Sequence, residues 1–189
     1  MTQEKQEMPV WIGIGGNRGR VASTLCQLIR RCQRDDRWRV VALSPWYWTE
    51  PVGVIHQPWF LNGILGLETC MRPRALLYAL QRLEQRYGRC RQRERRWGPR
   101  PLDLDLLFYG TRILRTRNLT IPHPRMHRRR FVLHPLADLA PDYRHPKLEK
   151  NVANLLHVVT DPARIRPFRQ SCGCHTPGMT LLPTSSTCC

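Results

Sequence analysis

The 189-residue sequence predicts one α+β domain followed by a C-terminal tail. Three observations predict it. Apolar runs of strand length alternate with segments of helical period. Glycine and proline punctuate the junctions between them. Hydrophobic residues make up 41% and charged residues 24%, so the chain can bury a core rather than remain disordered.

The elements follow in order. Residues 10–14, VWIGI, read as a buried strand. Gly13, Gly15, Gly16 and Gly19 crowd its end and let the chain turn there. Val21, Leu25, Leu28, Ile29 and Cys32 recur at helical spacing and form one apolar face. A second strand is predicted at 38–44. The link PWYWTEPVGVIHQPW carries three prolines and three tryptophans, so it reads as a long irregular functional loop rather than a disordered one. Residues 60–69 give a third strand, antiparallel to the second. Pro73 suits the first turn of a second helix, with Leu76, Leu77, Leu80, Leu83 and Tyr87 as its apolar face and Gly88 as its stop. The basic run RCRQRERRWGPR leads to a fourth strand at 102–108, LDLDLLF. Helical spacing returns near 131–140 and at 152–159, the latter behind an Asn151 cap. The resulting order, β-α-β-β-α-β, is the ferredoxin-like arrangement, with additional C-terminal helices. The patterned domain spans 9–160. From 161 to 189 the pattern stops, and SCGCHTPGMTLLPTSSTCC reads as a disordered tail.

The charge is unbalanced. Basic residues number 31 against 14 acidic, a formal net charge of +17, and only Lys5, Lys147 and Lys150 are lysines. Arginine presents a planar fork that suits phosphate and carboxylate. Base composition of the gene, a nucleic-acid surface and a polyphosphate site are the three readings of this bias. No run approaches the ~18 apolar residues of a membrane span. The polar N-terminus MTQEKQEMPV lacks a secretory apolar run, so a cytoplasmic protein is expected. Cys26, Cys32, Cys70 and Cys90 then read as reduced, apolar fillers. The C-terminal Cys172, Cys174, Cys188 and Cys189 lack the spacing of structural zinc ligands.

The strongest chemical signal is RWGPRPLDLDLL, residues 96–107. Asp103 and Asp105 are two apart on a predicted strand, so both point to one face while Leu102, Leu104 and Leu106 fill the other. Two reading frames are open for the acids: an ordinary solvated strand face, or a pair needing a cation between them. Mg²⁺ shared with substrate phosphates satisfies the second. Arg89, Arg91, Arg93, Arg95, Arg96 and Arg100 precede the pair. They are either a solvated basic loop or the phosphate-binding half of a metal–polyphosphate site.

This run resembles the signature of the 6-hydroxymethyl-7,8-dihydropterin pyrophosphokinases of folate biosynthesis. Ile12–Asn17 is similar to the family's first strand and loop, with Gly16 where a serine is usual. Ser44–Gly53, Gln57–Asn62, Leu119–His127 and Arg129–Leu133 resemble further family segments, in the family's order. The resemblance implies transfer of the β,γ-pyrophosphoryl group of ATP to the pterin hydroxymethyl oxygen, releasing AMP. It implies two Mg²⁺ on Asp103 and Asp105, with Arg91 and Arg100 as further catalytic residues. ATP contacts are implied for Gln81, Glu84, Arg89, Arg91, Trp97, Arg100, Leu106, Thr120, His123 and Arg129. Pterin contacts are implied for Thr49, Pro51, Val52, Phe60, Asn62, Trp97 and Phe131. Asn118 and Pro124 depart from what some members carry. A flat pterin between Phe60 and Phe131 makes independent physical sense, since aromatic rings stack.

The rival reading is an RNA-binding module of the same fold class, suggested by the charge. The chain lacks the K/R-G-F/Y-G/A-F-V run of such modules, and paired acids repel a phosphate backbone. A homologue that has lost catalysis is a third reading, and both acids argue against it. The expected partners are therefore the small-molecule substrates ATP and hydroxymethyl dihydropterin, with no specific nucleic acid and no membrane, and the protein is expected to be a monomer.

Overall fold

The computed structural model describes residues 7–53, 56–90 and 98–169. In chain order the elements are β1 (Met8–Gly16), α1 (Val21–Cys32), β2 (Arg39–Leu43), β3 (Tyr47–Thr49), β4 (Phe60–Thr69), α2 (Pro73–Arg86), β5 (Asp103–Tyr109), β6 (Leu114–Arg115), β7 (Thr120–Ile121), α3 (Arg130–Ala137), α4 (Val152–Val158) and β8 (Ile165–Pro167). The architecture is α+β, with an antiparallel sheet and four α-helices among the described residues. The main sheet runs β5-β1-β4-β3-β8. β2 and β3 share one edge of β4: β2 pairs with its Leu65–Glu68 half and β3 with its Phe60–Asn62 half. β6 and β7 form a separate hairpin.

Helix boundaries follow local chemistry. α2 begins on Pro73, whose missing N–H costs nothing in a first turn, and ends before Gly88 at φ +84°. α4 starts where the Asn151 side chain accepts from the Asn154 amide at 2.8 Å. α3 carries Pro135 within its last turn and is short.

The period of two along each strand sorts residues onto two faces. On one face Ile12 and Ile14 of β1, Leu61, Leu65 and Leu67 of β4, and Leu104 and Leu106 of β5 pack with Leu25 and Leu28 of α1 and Leu76 and Leu80 of α2. On the other, Trp11, Ile64 and Phe108 pack with Val132, Leu133 and Leu136 of α3 and Val152 and Leu155 of α4. Truncating a fully buried leucine such as Leu25 or Leu65 to alanine should cost about 2–5 kcal/mol.

Several expectations are corrected. Gly13, Gly15 and Gly16 lie inside β1 rather than in a turn after it; only Gly19 turns the chain, at φ +76°. The irregular link contains β3, a strand too short and too close to prolines to show a period. Of the four cysteines read as fillers, Cys32 is buried and Cys26 half-buried, whereas Cys70 and Cys90 are exposed. Burial pushes the Cys32 thiol up to about 12. The segment assigned to the tail from 161 is ordered through 169, because β8 pairs with β3: Tyr47, Trp48 and Thr49 face Pro167, Arg166 and Ile165. Three residues carry no detectable period, and their order comes from an available sheet edge. The rest of the tail, with its cysteines, lies outside the described residues.

Candidate active site

The site begins with a row of small and polar residues crossing three strands. Asn62 of β4 pairs with Gly15 of β1, which pairs with Asp103 of β5; Gly13 pairs with Asp105. All lie on the face opposite Ile12, Ile14, Leu61 and Leu104. The glycines leave this face bare. A Cβ on Gly15 would sit 1.9 Å from Asn62 Oδ1, and one on Gly16 would sit 2.5 Å from the Pro101 carbonyl oxygen. Gly15 and Gly16 are therefore needed for close approach, not for turning, whereas a Cβ on Gly13 would meet nothing nearer than 3.6 Å.

Over this floor lies a cavity of ≈ 390 Å³. Asp103, Asp105 and Arg100 line one side, and Thr49, Val52, Phe60 and Asn62 another, with Arg129 and Phe131 coming from the start of α3. Asn62 Nδ2 donates to Thr49 Oγ1 at 2.7 Å, which fixes the amide between β3 and β4. Its remaining donor and its carbonyl are then oriented for a heterocycle edge. Phe60 and Phe131 reach the same cavity from β4 and α3, which suits a flat ring.

The acids are held by arginine. Arg100 Nη1 lies 2.9 Å from Asp103 Oδ2, Arg89 pairs with Asp103 Oδ1, and Arg129 Nη1 lies 3.6 Å from Asp105 Oδ2. Asp105 has the weaker contact. Burial, then the Asp103 charge, pushes its carboxyl up to about 7, and Arg129 only partly opposes this. The side chain is still 35% open. Protein crowds the carboxylate on most sides and leaves it open toward the cavity.

Two carboxylate side chains facing one cavity, with no nitrogen or sulfur donor beside them, fit a hard divalent cation. Among the described residues no three His, Cys, Asp or Glu side chains are grouped so as to hold a metal ion by themselves. Any cation there would complete its shell with water and substrate oxygens.

Other expected residues stand apart. Glu84 is 1% exposed; its Oε1 accepts from the Leu104 amide at 2.8 Å and pairs with Arg89. It anchors β5 to α2 and carries Arg89 beside Asp103. Leu106 is in the core under the helices. Gln81, Thr120 and His123 do not line the cavity, nor does Pro51. His123 Nδ1 accepts from the Arg125 amide at 3.2 Å. Burial, then the Arg129 and Arg125 charges, pull its imidazole down to about 4. Arg91 and Trp97 lie outside the described residues.

The structure also adds residues that the sequence reading did not single out. Glu50, Gln57, Arg125 and Arg128 line the cavity. Asn17 is buried at the end of β1 and links three segments. Its Nδ2 donates to Gln57 Oε1 at 3.0 Å and to the Pro58 carbonyl at 2.9 Å, while its Oδ1 accepts from the Arg100 amide at 2.8 Å. A polar residue directly after a glycine-rich strand end was the available signal.

Comparison with known proteins agrees with this geometry. The sequence profile of the family described as 7,8-dihydro-6-hydroxymethylpterin-pyrophosphokinase matches residues 11–141. The 2-amino-4-hydroxy-6-hydroxymethyldihydropteridine pyrophosphokinase of Pseudomonas aeruginosa is 43% identical over 137 residues, covering 72% of this chain and 83% of that one. The protein of the same description from Synechocystis is 42% identical over 148 residues, covering 78% and 74%. A crystal structure of Plasmodium falciparum HPPK-DHPS with pteroate superposes at a TM-score of 0.66 and 14% identity, a likeness of fold. It covers 83% of this chain but 43% of that one, so the present chain spans under half of that longer protein. On the profile match and these relatives, the chain belongs to the 7,8-dihydro-6-hydroxymethylpterin-pyrophosphokinase family.

Proposed function

We propose that the cavity over Gly13 and Gly15 carries out the family's reaction in this chain, with ATP and 6-hydroxymethyl-7,8-dihydropterin side by side. The observation that carries this reading is the lining of one cavity both by Asp103 and Asp105 and by Phe60, Asn62 and Phe131. A phosphate-binding half and a ring-binding half then share a boundary, where transfer takes place.

The pterin lies between Phe60 and Phe131, with Asn62 and Thr49 pairing its polar edge and Val52 covering it; Pro51, outside the lining, enters through its neighbour Val52. Its hydroxymethyl oxygen attacks the β-phosphorus. The bond from that phosphorus to the oxygen bridging to the α-phosphate breaks, the hydroxyl proton leaves to solvent, and AMP departs with the electron pair. Arg100 and Arg129, with Arg89 and Arg91, neutralise charge on the transferred unit. Asp103 and Asp105 would hold two Mg²⁺, which when bound supply Lewis acidity to the phosphates and lower the pKa of the attacking hydroxyl. The arginines on these carboxylates would turn to the phosphates as the metal arrives. No side chain need act as a general base.

Nucleotide contacts of Gln81, Leu106, Thr120 and His123, and a Trp97 contact to both substrates, belong to the same proposal. Glu84 enters it indirectly, through Arg89 and β5. So do the finer fold reading, a ferredoxin-like core with β3, β8 and the C-terminal helices added, and a pyrophosphokinase domain that starts at residue 9. The protein acts as a cytoplasmic monomer on small molecules, without a specific nucleic-acid partner. Among the described residues no helix is long and apolar enough to cross a membrane.

The test is incubation with ATP, Mg²⁺ and the hydroxymethyl pterin, with nucleotides separated. AMP should form one-for-one with pyrophosphorylated pterin. ADP as the stoichiometric product, or no pterin-dependent consumption of ATP, would refute the reading.

A further inference from the structure

We propose that Arg164 is a positioning residue for the ring-binding half of the cavity, acting from a C-terminal strap, residues 163–168, that clamps β3 and the entry to β4. The strap lies beyond the 11–141 segment that the family profile covers. The proposal rests on the assignment of that half of the cavity to the pterin.

Arg164 touches both ends of the segment between β3 and β4. Its backbone and side chain grip Glu50, the residue after β3. The Glu50 amide donates to the Arg164 carbonyl at 3.1 Å. The Arg164 amide donates to Glu50 Oε2 at 2.9 Å, and Arg164 Nε to Glu50 Oε1 at 2.6 Å. The same guanidinium stands 5.6 Å from the ring centroid of Trp59, the residue before β4, and that of Arg166 stands 5.3 Å away. Further along, the Phe168 amide donates to the Trp46 carbonyl at 2.8 Å, and the Phe168 ring meets Trp48 edge-on at 5.8 Å. Glu50 and Phe60 both line the cavity, and each is joined directly to a clamped residue or is one.

The Arg164 side chain is 66% exposed, so a lone ion pair there would contribute little. Two backbone bonds, a two-oxygen contact and two guanidinium–indole contacts instead converge on the residues flanking β3 and on the residue before β4. Breaking the guanidinium end loosens the Glu50 carboxylate and removes one of the two cations over Trp59, leaving Arg166 and the backbone bond in place. Asp161 ties the strap's first residue to the Arg130 amide beside Arg129, but the bonds of Arg164 itself go to Glu50 and Trp59, in the ring-binding half. A positioning role therefore predicts an effect confined to one substrate.

The experiment compares wild type with Arg164→Ala, Arg164→Lys and Glu50→Gln in the full chain. Amide hydrogen exchange is read in the apo protein, and steady-state constants are read for each substrate. Arg164→Ala should speed exchange at Glu50 and in β3, and raise the KM for the pterin by about tenfold while the KM for ATP stays within about twofold. Arg164→Lys should restore little, since a lysine cannot meet both the carboxylate and the indole face. Adding Glu50→Gln to Arg164→Ala should cause no further loss. Unchanged exchange at β3 and Glu50, or a loss shared equally by both substrates, would overturn the proposal. Exchange that rises as predicted in a protein that binds no pterin would instead retain the strap and refute the pterin assignment, and with it the positioning role claimed for Arg164.

Discussion

Arg100 Nη1 and Asp103 Oδ2 lie 2.9 Å apart, so the residue expected on the phosphates and the residue expected on the metal hold each other. Each carries a charge that the partner compensates until substrate and cation replace it. Asp105 is compensated chiefly by Arg129, at 3.6 Å, with a smaller contribution from Arg89. The two acids therefore differ in what they do for the fold, although both face one cavity.

Asp103→Asn and Asp105→Asn should each lower kcat by at least ~10²-fold, through loss of a charged metal ligand. Their effects on stability should part. Asp105→Asn removes a crowded charge and should leave the melting temperature of the apo protein unchanged or higher. Asp103→Asn leaves Arg89 and Arg100 facing a neutral amide and should lower it. Thermal denaturation with steady-state kinetics decides, and equal melting shifts would contradict the asymmetry.

Arg100→Ala should reduce kcat more than it weakens ATP binding, because a charge that meets the phosphates only after leaving Asp103 acts chiefly in the transition state. Single-turnover rates beside equilibrium ATP binding make the distinction. A loss wholly in affinity would make Arg100 a ground-state binding residue.

Gly15→Ala should damage the ring-binding half without touching the acids. Its methyl would sit 1.9 Å from Asn62 Oδ1, so the Asn62 amide must leave its bond to Thr49. Such overpacking costs about 1–3 kcal/mol of stability. The KM for the pterin should rise by roughly tenfold or more. A crystal structure of the variant with Asn62 unmoved, or an unchanged KM, would rule this out.

His123 gives a pH prediction. Its folded pKa lies near 4, below the ordinary 6.5, because burial and two arginines oppose its charge. Between those values the unfolded chain binds a proton that the folded chain refuses. The stability contributed by the neutral ring is complete above about 6.5 and is lost as pH falls toward about 4. NMR should find no imidazole titration of His123 between pH 5 and 8. His123→Asn should flatten the stability slope between pH 4 and 6.5. A ring titrating near 6.5 would show the site to be far wetter than the geometry indicates.

The sequence by itself determined the two helices under the sheet, the four long strands and the acid pair, because period and spacing are local properties. Val21 to Cys32 repeats at helical spacing whatever lies above it, and Asp103 and Asp105 share a face on any strand. The Asn151 cap and the Pro73 start were legible for the same reason. What only the tertiary structure decided was pairing across the sheet. No local signal says that Gly15 sits between Asn62 and Asp103, so the glycines read as a turn when they are the bare floor of a cavity. The burial of Glu84 had no local signal either, because it depends on β5 lying over α2. β8 was invisible because three residues have no period, and it forms only because β3 leaves an edge unpaired. Local patterns fix which way a side chain faces within its own element; which groups meet is fixed by register and packing between elements far apart in the chain.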